Sequence, residues 1–280
     1  MSNDHAFETA LVNVLGSRPL SLFFALLLVL LVLAAALWWT AHRYTVPQKT
    51  SSLSPGSYLL MRLAAGFAIV LAAAAGFAEI AIELTDGRRV GDLDQVFSDT
   101  VRQSLAAPAL RLFGWLTHLG DTVTITTLCI GVAVLLLVRG LRLLALGWTL
   151  AIVGNALLNV TLKRLFARAR PLHEGAPSLE HGFSFPSGHS SGSVVAYGML
   201  AYVLIRLLPP AQAARWGLPL VLTATALAFT IGCSRIFIQV HFATDVLAGF
   251  ASGMSWLAVC IVSIEWMRQV RRGKPDATAA

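Results

Sequence analysis

The chain has 280 residues, of which 56% are hydrophobic and only 12% are charged. A soluble domain carries about a quarter charged residues, so this composition indicates a membrane protein. The formal net charge is +7, but the basic residues lie between apolar runs, which argues against nucleic-acid binding. The cysteines Cys129, Cys233 and Cys260 stand in apolar stretches. Their spacing supports neither a zinc site nor a disulfide framework.

Seven apolar stretches are long enough to cross a bilayer, which takes about 20 mostly apolar residues. They cover residues 20–39, 59–84, 122–138, 143–161, 190–208, 216–233 and 243–264. Proline punctuates the chain between several of them, as at Pro171 and at Pro209-Pro210. The sequence therefore predicts an all-α fold, a polytopic transmembrane helical bundle.

The stretch 88–121 is too polar to span, and the spacing of Val96, Phe97 and Val101 predicts an amphipathic helix on the bilayer surface. The distribution of Lys and Arg near the span ends favours a cytoplasmic C-terminus. The loops at 161–189 and 234–242 share one face, because an even number of spans separates them. That face is then predicted to be extracytoplasmic.

The first of three polar clusters contains Lys163 and Arg170-Pro171. The two cations are seven residues apart, which is about two helical turns, so both can face one point. Taken alone, this pattern is also typical of an interfacial stop where long basic side chains reach the headgroups.

The second cluster, Pro186-Ser187-Gly188-His189, directly precedes an apolar helix. Ser187 is a favourable N-cap residue, and Gly188 lets the backbone approach a ligand closely. Unpaired N–H groups at a helix start bind phosphate readily. His189 would stand beside that anion, placed to donate a proton to a leaving oxygen.

The third cluster contains Ser234-Arg235, His241 and Asp245. The last two are four residues apart and therefore neighbours on a helix face. A carboxylate on one imidazole nitrogen fixes the tautomer and leaves the other nitrogen free to attack. Arg235 adds a planar fork that suits phosphate oxygens. Phosphoryl transfer needs clamped negative charge, a nucleophile and an acid, and the three clusters supply all of them.

These clusters resemble the signature of the type 2 phosphatidic acid phosphatase (PAP2) superfamily of membrane lipid phosphatases. That signature reads Lys-x6-Arg-Pro, Pro-Ser-Gly-His and Ser-Arg-x5-His-x3-Asp, and every defining position is present in order. The resemblance implies a six-span core at 59–265, preceded by an N-terminal segment at 1–58 with an extra span and a linker. The remaining 266–280 is expected to be a basic cytoplasmic tail.

The resemblance also implies a role for each signature residue. His241 would be the nucleophile that carries a phosphohistidine, Asp245 its orienting group, and His189 the general acid. The phosphate would be held by Lys163, Arg170, Ser187, Gly188 and Arg235. No metal or other cofactor is implied. The expected partners are the bilayer and a lipid phosphate or diphosphate, with a site on the extracytoplasmic face of a bacterial cytoplasmic membrane.

Two questions stay open at the level of sequence. The substrate could be undecaprenyl diphosphate, phosphatidylglycerol phosphate, phosphatidic acid or a lipid A phosphate. A lipid phosphotransferase is the alternative function, because only the acceptor in the second step differs. A vanadate-dependent haloperoxidase has a related site but does not suit seven spans, and a transporter would leave the three motifs unexplained.

Residues outside the signature are assigned structural roles. Arg164 and Arg168 are expected to be solvated interface bases rather than ligands of a second phosphate. Asp121 is expected to cap a helix. Gly249 and Gly253 form a small-xxx-small pattern typical of helix packing, and a solvated loop is the expected setting of His173, Glu174 and His181.

Overall fold

The computed structural model describes residues 2–45, 55–86, 88–171 and 182–272, and over these ranges it contains helices and no strand. The predicted all-helical bundle is confirmed. The helices are α1 (Ser2–Gly16), α2 (Pro19–Thr45), α3 (Pro55–Asp86), α4 (Arg88–Ser104), α5 (Ala107–Leu116), a 3-10 turn (Thr117–Gly120), α6 (Thr122–Val138), α7 (Arg142–Phe166), α8 (Gly188–Leu207), α9 (Pro210–Phe237) and α10 (Ala243–Arg272). His173, Glu174 and His181 lie outside the described residues.

Six of the described helices are long and apolar enough to cross a membrane, namely α2, α3, α7, α8, α9 and α10. The predicted span at 122–138 coincides with α6, which has 17 residues. At about 1.5 Å per residue such a helix falls short of the roughly 30 Å hydrocarbon core. Together with Ala107–Gly120 it makes a seventh candidate, bent by 40°.

Two predicted boundaries shift. Helix α10 continues to Arg272, so the predicted tail at 266–280 begins on helix rather than after it. Basic residues are good helix formers, and they suit the negative end of the helix dipole. Helix α3 starts at Pro55, a few residues earlier than expected, because proline is favourable in the first helical turn. The division into segment, core and tail remains a prediction.

The main core lies where α8 packs against α6, α7 and α10. Its fully buried side chains include Leu136, Trp148 and Met199. The indole Nε1 of Trp148 donates to the carbonyl of Cys129 at 2.9 Å, so the one polar atom of this side chain is satisfied. This core sets the position of the N-terminal end of α8.

Two glycines allow α10 to cross α8 closely. A Cβ atom added to Gly253 would lie 2.8 Å from the carbonyl oxygen of Ser191, and one added to Gly249 would lie 2.6 Å from that of Ser187. Both contacts are with backbone, which cannot move aside as a side chain can. The helix-packing role predicted for this pair is confirmed.

The N-terminal helices pack on the same bundle. Phe23 of α2 contacts the rings of Phe113 and Phe237, with centroids 5.2 and 6.1 Å away. Helix α1, which the sequence analysis did not predict, packs on α4, where Thr100 Oγ1 donates to Asn13 Oδ1 at 2.8 Å. The stretch predicted as one amphipathic helix at 88–121 forms two helices, α4 and α5, and Val101 of α4 is fully buried. Its location on the bilayer surface stays a prediction.

The α8–α10 crossing predicts the effect of one methyl group. Replacing Gly253 with alanine should destabilise the protein by about 1–3 kcal/mol, as overpacking usually does. Thermal unfolding in detergent measures this change. Gly131→Ala on α6 is the matched control, since nothing lies within 4 Å of its added Cβ. Equal melting temperatures for the two variants would contradict the close crossing.

Candidate active site

The start of α8 is tied to its neighbours through the Pro186-Ser187-Gly188 turn. Ser187 is the N-cap, and its hydroxyl accepts from the N–H of Ser190. The N–H of Ser187 donates to the backbone carbonyl of Asp245 at 2.9 Å. Asn159 supports the turn from α7, where its amide nitrogen lies 3.5 Å from the Pro186 carbonyl. The first amides of α8, which a helix cannot pair internally, are thereby held at a fixed place.

His241 stands in the short loop between α9 and α10 and is 1% exposed. Its Nδ1 lies 3.4 Å from Asp245 Oδ2, which also accepts from the N–H of Phe242 at 2.9 Å. A carboxylate can only accept here, so Nδ1 carries the proton and Nε2 presents its lone pair. Arg170 Nη1 lies 3.3 Å from Nε2. The arrangement suits an imidazole that attacks through Nε2.

Electrostatics keep this imidazole neutral. Burial lowers the pKa of His241 to about 3, and the positive charges of Arg170 and Arg235 act in the same direction. The hydrogen bond with Asp245 opposes the shift but does not offset it. A neutral imidazole at physiological pH is the nucleophilic form.

Three cations surround the two histidines. Lys163 Nζ donates to the Phe183 carbonyl at 2.7 Å, Arg170 Nη1 to the Val240 carbonyl at 2.8 Å, and Arg235 Nη1 to the Thr117 hydroxyl at 2.8 Å. Lys163 is within electrostatic range of both arginines. Burial also lowers the pKa of the Arg170 guanidinium, although Asp245 acts against it. Such a group of like charges favours binding of a multiply charged anion.

Arg168 corrects an expectation. Arg164 is exposed, as predicted for an interface base. Arg168 instead donates to Asp245 Oδ1 at 2.7 Å and to Asp94 Oδ2 at 2.8 Å. Its guanidinium also stacks 4.3 Å from the ring centre of Phe242. The guanidinium of Arg168 therefore contacts two carboxylates, and it orients Asp245 from the side opposite His241.

Asp94 of α4 completes this network. Its carboxylate accepts from both the hydroxyl and the N–H of Thr244 at the start of α10. Burial raises the pKa of Asp94, while Thr244 and Arg168 act against the increase. Helix α4 is thus joined through polar contacts to the residues that position His241. Asp94 was not predicted from the sequence. The one sign that it is buried is its place on the same helix as the buried Val101.

His189 is held by a second carboxylate. Its Nε2 lies 2.8 Å from Asp121 Oδ1, and the Nδ1 of His118 lies 2.6 Å from Asp121 Oδ2. Asp121 occupies the N-cap position of α6, but its side chain makes no capping hydrogen bond. Asp121 is therefore the cap residue by position, as expected, but its two carboxylate oxygens are engaged by imidazoles instead of helix amides.

The eight predicted site residues lie around one position at the ends of α7, α8 and α9 and the start of α10. They are Lys163, Arg170, Ser187, Gly188, His189, Arg235, His241 and Asp245. Of the residues that support them, Asp94 and Asn159 were not predicted from the sequence, and Arg168 and Asp121 were assigned other roles. Each of these residues contacts a partner that is distant in sequence, and such contacts leave no local pattern in the sequence.

The Asp94–Arg168 contact predicts a large loss of stability. Asp94 accepts from both Arg168 and Thr244. A buried donor left without its acceptor costs about 1–3 kcal/mol, although Asp245 still pairs with Arg168. Asp94→Ala should therefore melt well below the wild-type protein in detergent. Asp92→Ala removes an exposed acid from the same helix and should melt like wild type. Similar melting of both variants would show that the contact is not stabilising.

The environment of His241 predicts its titration. Its imidazole should stay neutral from pH 8 down to pH 5, because its pKa is lowered to about 3. Nitrogen NMR of histidine-labelled protein, with the signal assigned by its loss in His241→Asn, measures this directly. Below the ordinary histidine pKa of about 6.5 only the unfolded chain binds this proton. Acidification should therefore also lower the stability of the protein. An NMR titration of His241 with its midpoint near about pH 6.5 would contradict the burial argument.

Comparisons with known proteins agree with this geometry. Residues 142–269 match the model of the PAP2 superfamily. A stretch of 101 residues is 40% identical to phosphatidylglycerophosphatase B of Bacillus subtilis (strain 168), covering 36% of this chain and 48% of that protein. The chain thus spans about half the length of that curated relative.

A solved structure matches over a longer range. It is the crystal structure of a transmembrane PAP2-type phosphatidylglycerolphosphate phosphatase from Bacillus subtilis, with a TM-score of 0.65 and 26% identity. The match covers 73% of this chain and 98% of that one. With its apolar helices the chain is an integral membrane protein, and over residues 142–269 it is similar to the PAP2 superfamily.

Proposed function

We propose that the protein hydrolyses a lipid phosphate through a phosphohistidine on His241. The observation that carries the proposal is the buried, neutral imidazole, held at Nδ1 by Asp245 with Nε2 beside Arg170. The PAP2 match over 142–269 supports the same reading.

In the first step, Nε2 of His241 attacks phosphorus while the bond from phosphorus to the lipid oxygen breaks. His189 gives its proton to that oxygen, so the lipid leaves as an alcohol, or as a lipid monophosphate when the substrate is a diphosphate. The negative charge on the three oxygens of the transferred phosphoryl group is stabilised by Lys163, Arg170 and Arg235. The amides at the start of α8, beside Ser187 and Gly188, would contribute further.

In the second step, water replaces the histidine. His189, now neutral, takes a proton from the attacking water, and the bond from phosphorus to Nε2 of His241 breaks. Inorganic phosphate leaves, and both histidines return to their starting protonation states. The cations supply the positive charge that phosphoryl transfer requires, and the proposal therefore includes independence from metal ions.

Phosphatidylglycerol phosphate is the first substrate to test, because both similar proteins carry the name of a phosphatase for that lipid. A monoester headgroup at the bilayer surface would meet the cations at the helix ends while its chains stay in the hydrocarbon. We place the enzyme in a bacterial cytoplasmic membrane, with its site on the extracytoplasmic face. The bias of Lys and Arg toward the other face supports this orientation.

Phosphate release by the detergent-purified protein tests the proposal. The panel contains phosphatidylglycerol phosphate, an isoprenyl diphosphate and phosphatidic acid, with EDTA present, and His241→Ala is assayed in parallel. We expect release from at least one lipid, no effect of EDTA, and loss of both release and covalent labelling by ³²P-lipid in the variant.

Three outcomes would contradict parts of the proposal. Phosphoenzyme formed by His241→Ala would show that the nucleophile is another group. Activity abolished by EDTA and restored by a divalent cation would refute metal independence. Labelled phosphate found on a second lipid by thin-layer chromatography, rather than in solution, would identify a phosphotransferase.

A further inference from the structure

Asp121, which contacts His189, lies outside the three signature clusters and outside the matched segment 142–269. We propose that Asp121 is the positioning residue of the general acid. It holds Nε2 of His189, so that Nδ1 is the nitrogen that exchanges protons with the leaving group and with water. This inference rests on the proposed function, in which His189 is the acid.

The geometry of the contact fixes the tautomer. Nε2 of His189 lies 2.8 Å from Asp121 Oδ1, at a side chain that is 18% exposed. The carboxylate accepts, so a neutral His189 carries its hydrogen on Nε2 and its lone pair on Nδ1. When the ring is protonated, Nδ1 bears the transferable proton. The carboxylate also stabilises the positive ring electrostatically.

The backbone that bears Asp121 is fixed against the site. A Cβ atom added to Gly120 would lie 2.5 Å from Ile231 and 3.0 Å from the ring of His189. Only glycine permits this approach. Tyr197 of α8 donates its hydroxyl to the Leu119 carbonyl at 2.7 Å, which ties the same turn to the helix that carries His189.

His118 holds the other side of the carboxylate. Its Nδ1 lies 2.6 Å from Asp121 Oδ2, and its carbonyl accepts from the Thr124 hydroxyl at 2.7 Å. Both carboxylate oxygens are thereby engaged, which restricts rotation of the group. The position of Oδ1, and with it the plane of the His189 ring, is set by contacts on two sides.

The site then contains two His–Asp pairs that use opposite nitrogens. Asp245 holds Nδ1 of His241, which attacks through Nε2, whereas Asp121 holds Nε2 of His189, which works through Nδ1. In the first step the bond from Nδ1 to hydrogen breaks as the lipid oxygen gains that proton. In the second, Nδ1 takes a proton from water while the water oxygen bonds to phosphorus, and Asp121 stays ionised throughout.

Leaving-group dependence separates a positioning role from a structural one. A general acid contributes about 10²- to 10⁴-fold when the leaving oxygen is a poor leaving group. A p-nitrophenolate needs little protonation to depart. We therefore expect Asp121→Asn to lower kcat/KM about 100-fold on phosphatidylglycerol phosphate. On p-nitrophenyl phosphate the loss should be about threefold or less, because the variant keeps the shape of the side chain.

A double-mutant comparison and a control complete the test. Adding Asp121→Asn to His189→Ala should cause no further loss on the lipid, since the two residues act as one unit. Asp92→Asn, which removes an exposed acid of α4, should match wild type on both substrates. Melting temperatures in detergent identify any variant that has lost its fold. For the folded variants, the ratio of kcat/KM between the double mutant and His189→Ala decides whether the two residues act as one unit.

The outcomes distinguish this inference from the proposed function. Equal losses by Asp121→Asn on both substrates, or additive losses with His189→Ala, would overturn the positioning role while His241→Ala remains inactive. Wild-type kinetics for Asp121→Asn would do the same. Full activity of His241→Ala would overturn the proposed function and this inference together.

Discussion

Buried charge needs a partner, and this requirement determines how the ends of the helices meet. Three carboxylates from three elements, Asp94, Asp121 and Asp245, each face a basic group of the site. Asp94 and Asp245 are buried, and an unpaired ion in a poorly solvated region costs several kcal/mol, so their contacts constrain the elements that bear them. Helix α4 is thereby fixed relative to the start of α10, and the contact of Asp121 with His189 ties the bend before α6 to α8.

The other cations are held in a different way. The contacts of Lys163, Arg170 and Arg235 include neutral oxygens of the backbone and of a hydroxyl. Neutral acceptors fix the direction of a cation without cancelling its charge. Carboxylates thus orient the histidines, while the contacts of the cations that would meet a phosphate include backbone carbonyls and the Thr117 hydroxyl.

The sequence predicted the helical class, most span positions and all eight clustered residues, because hydropathy and motif spacing are local signals. It did not predict Arg168 as the link between Asp94 and Asp245, since that link joins α4 to α10 across the fold. Asp121 was misread for a similar reason. An acid before a helix is typical of a side chain that caps the helix. Only the three-dimensional structure shows that the carboxylate contacts an imidazole instead of the helix amides.

The aromatic contact between Phe23 and Phe237 has a consequence for biosynthesis. The first residue is near the start of the chain and the second is near its end. Synthesis proceeds at about 5–20 residues per second, so α2 is made on the order of ten seconds or more before α9. It enters the bilayer as an independent helix and associates afterwards, as helices do in two-stage assembly. During this interval the aromatic face of α2 contacts lipid. The helices can pack into the complete bundle only after the rest of the chain has been synthesised, not when α2 inserts.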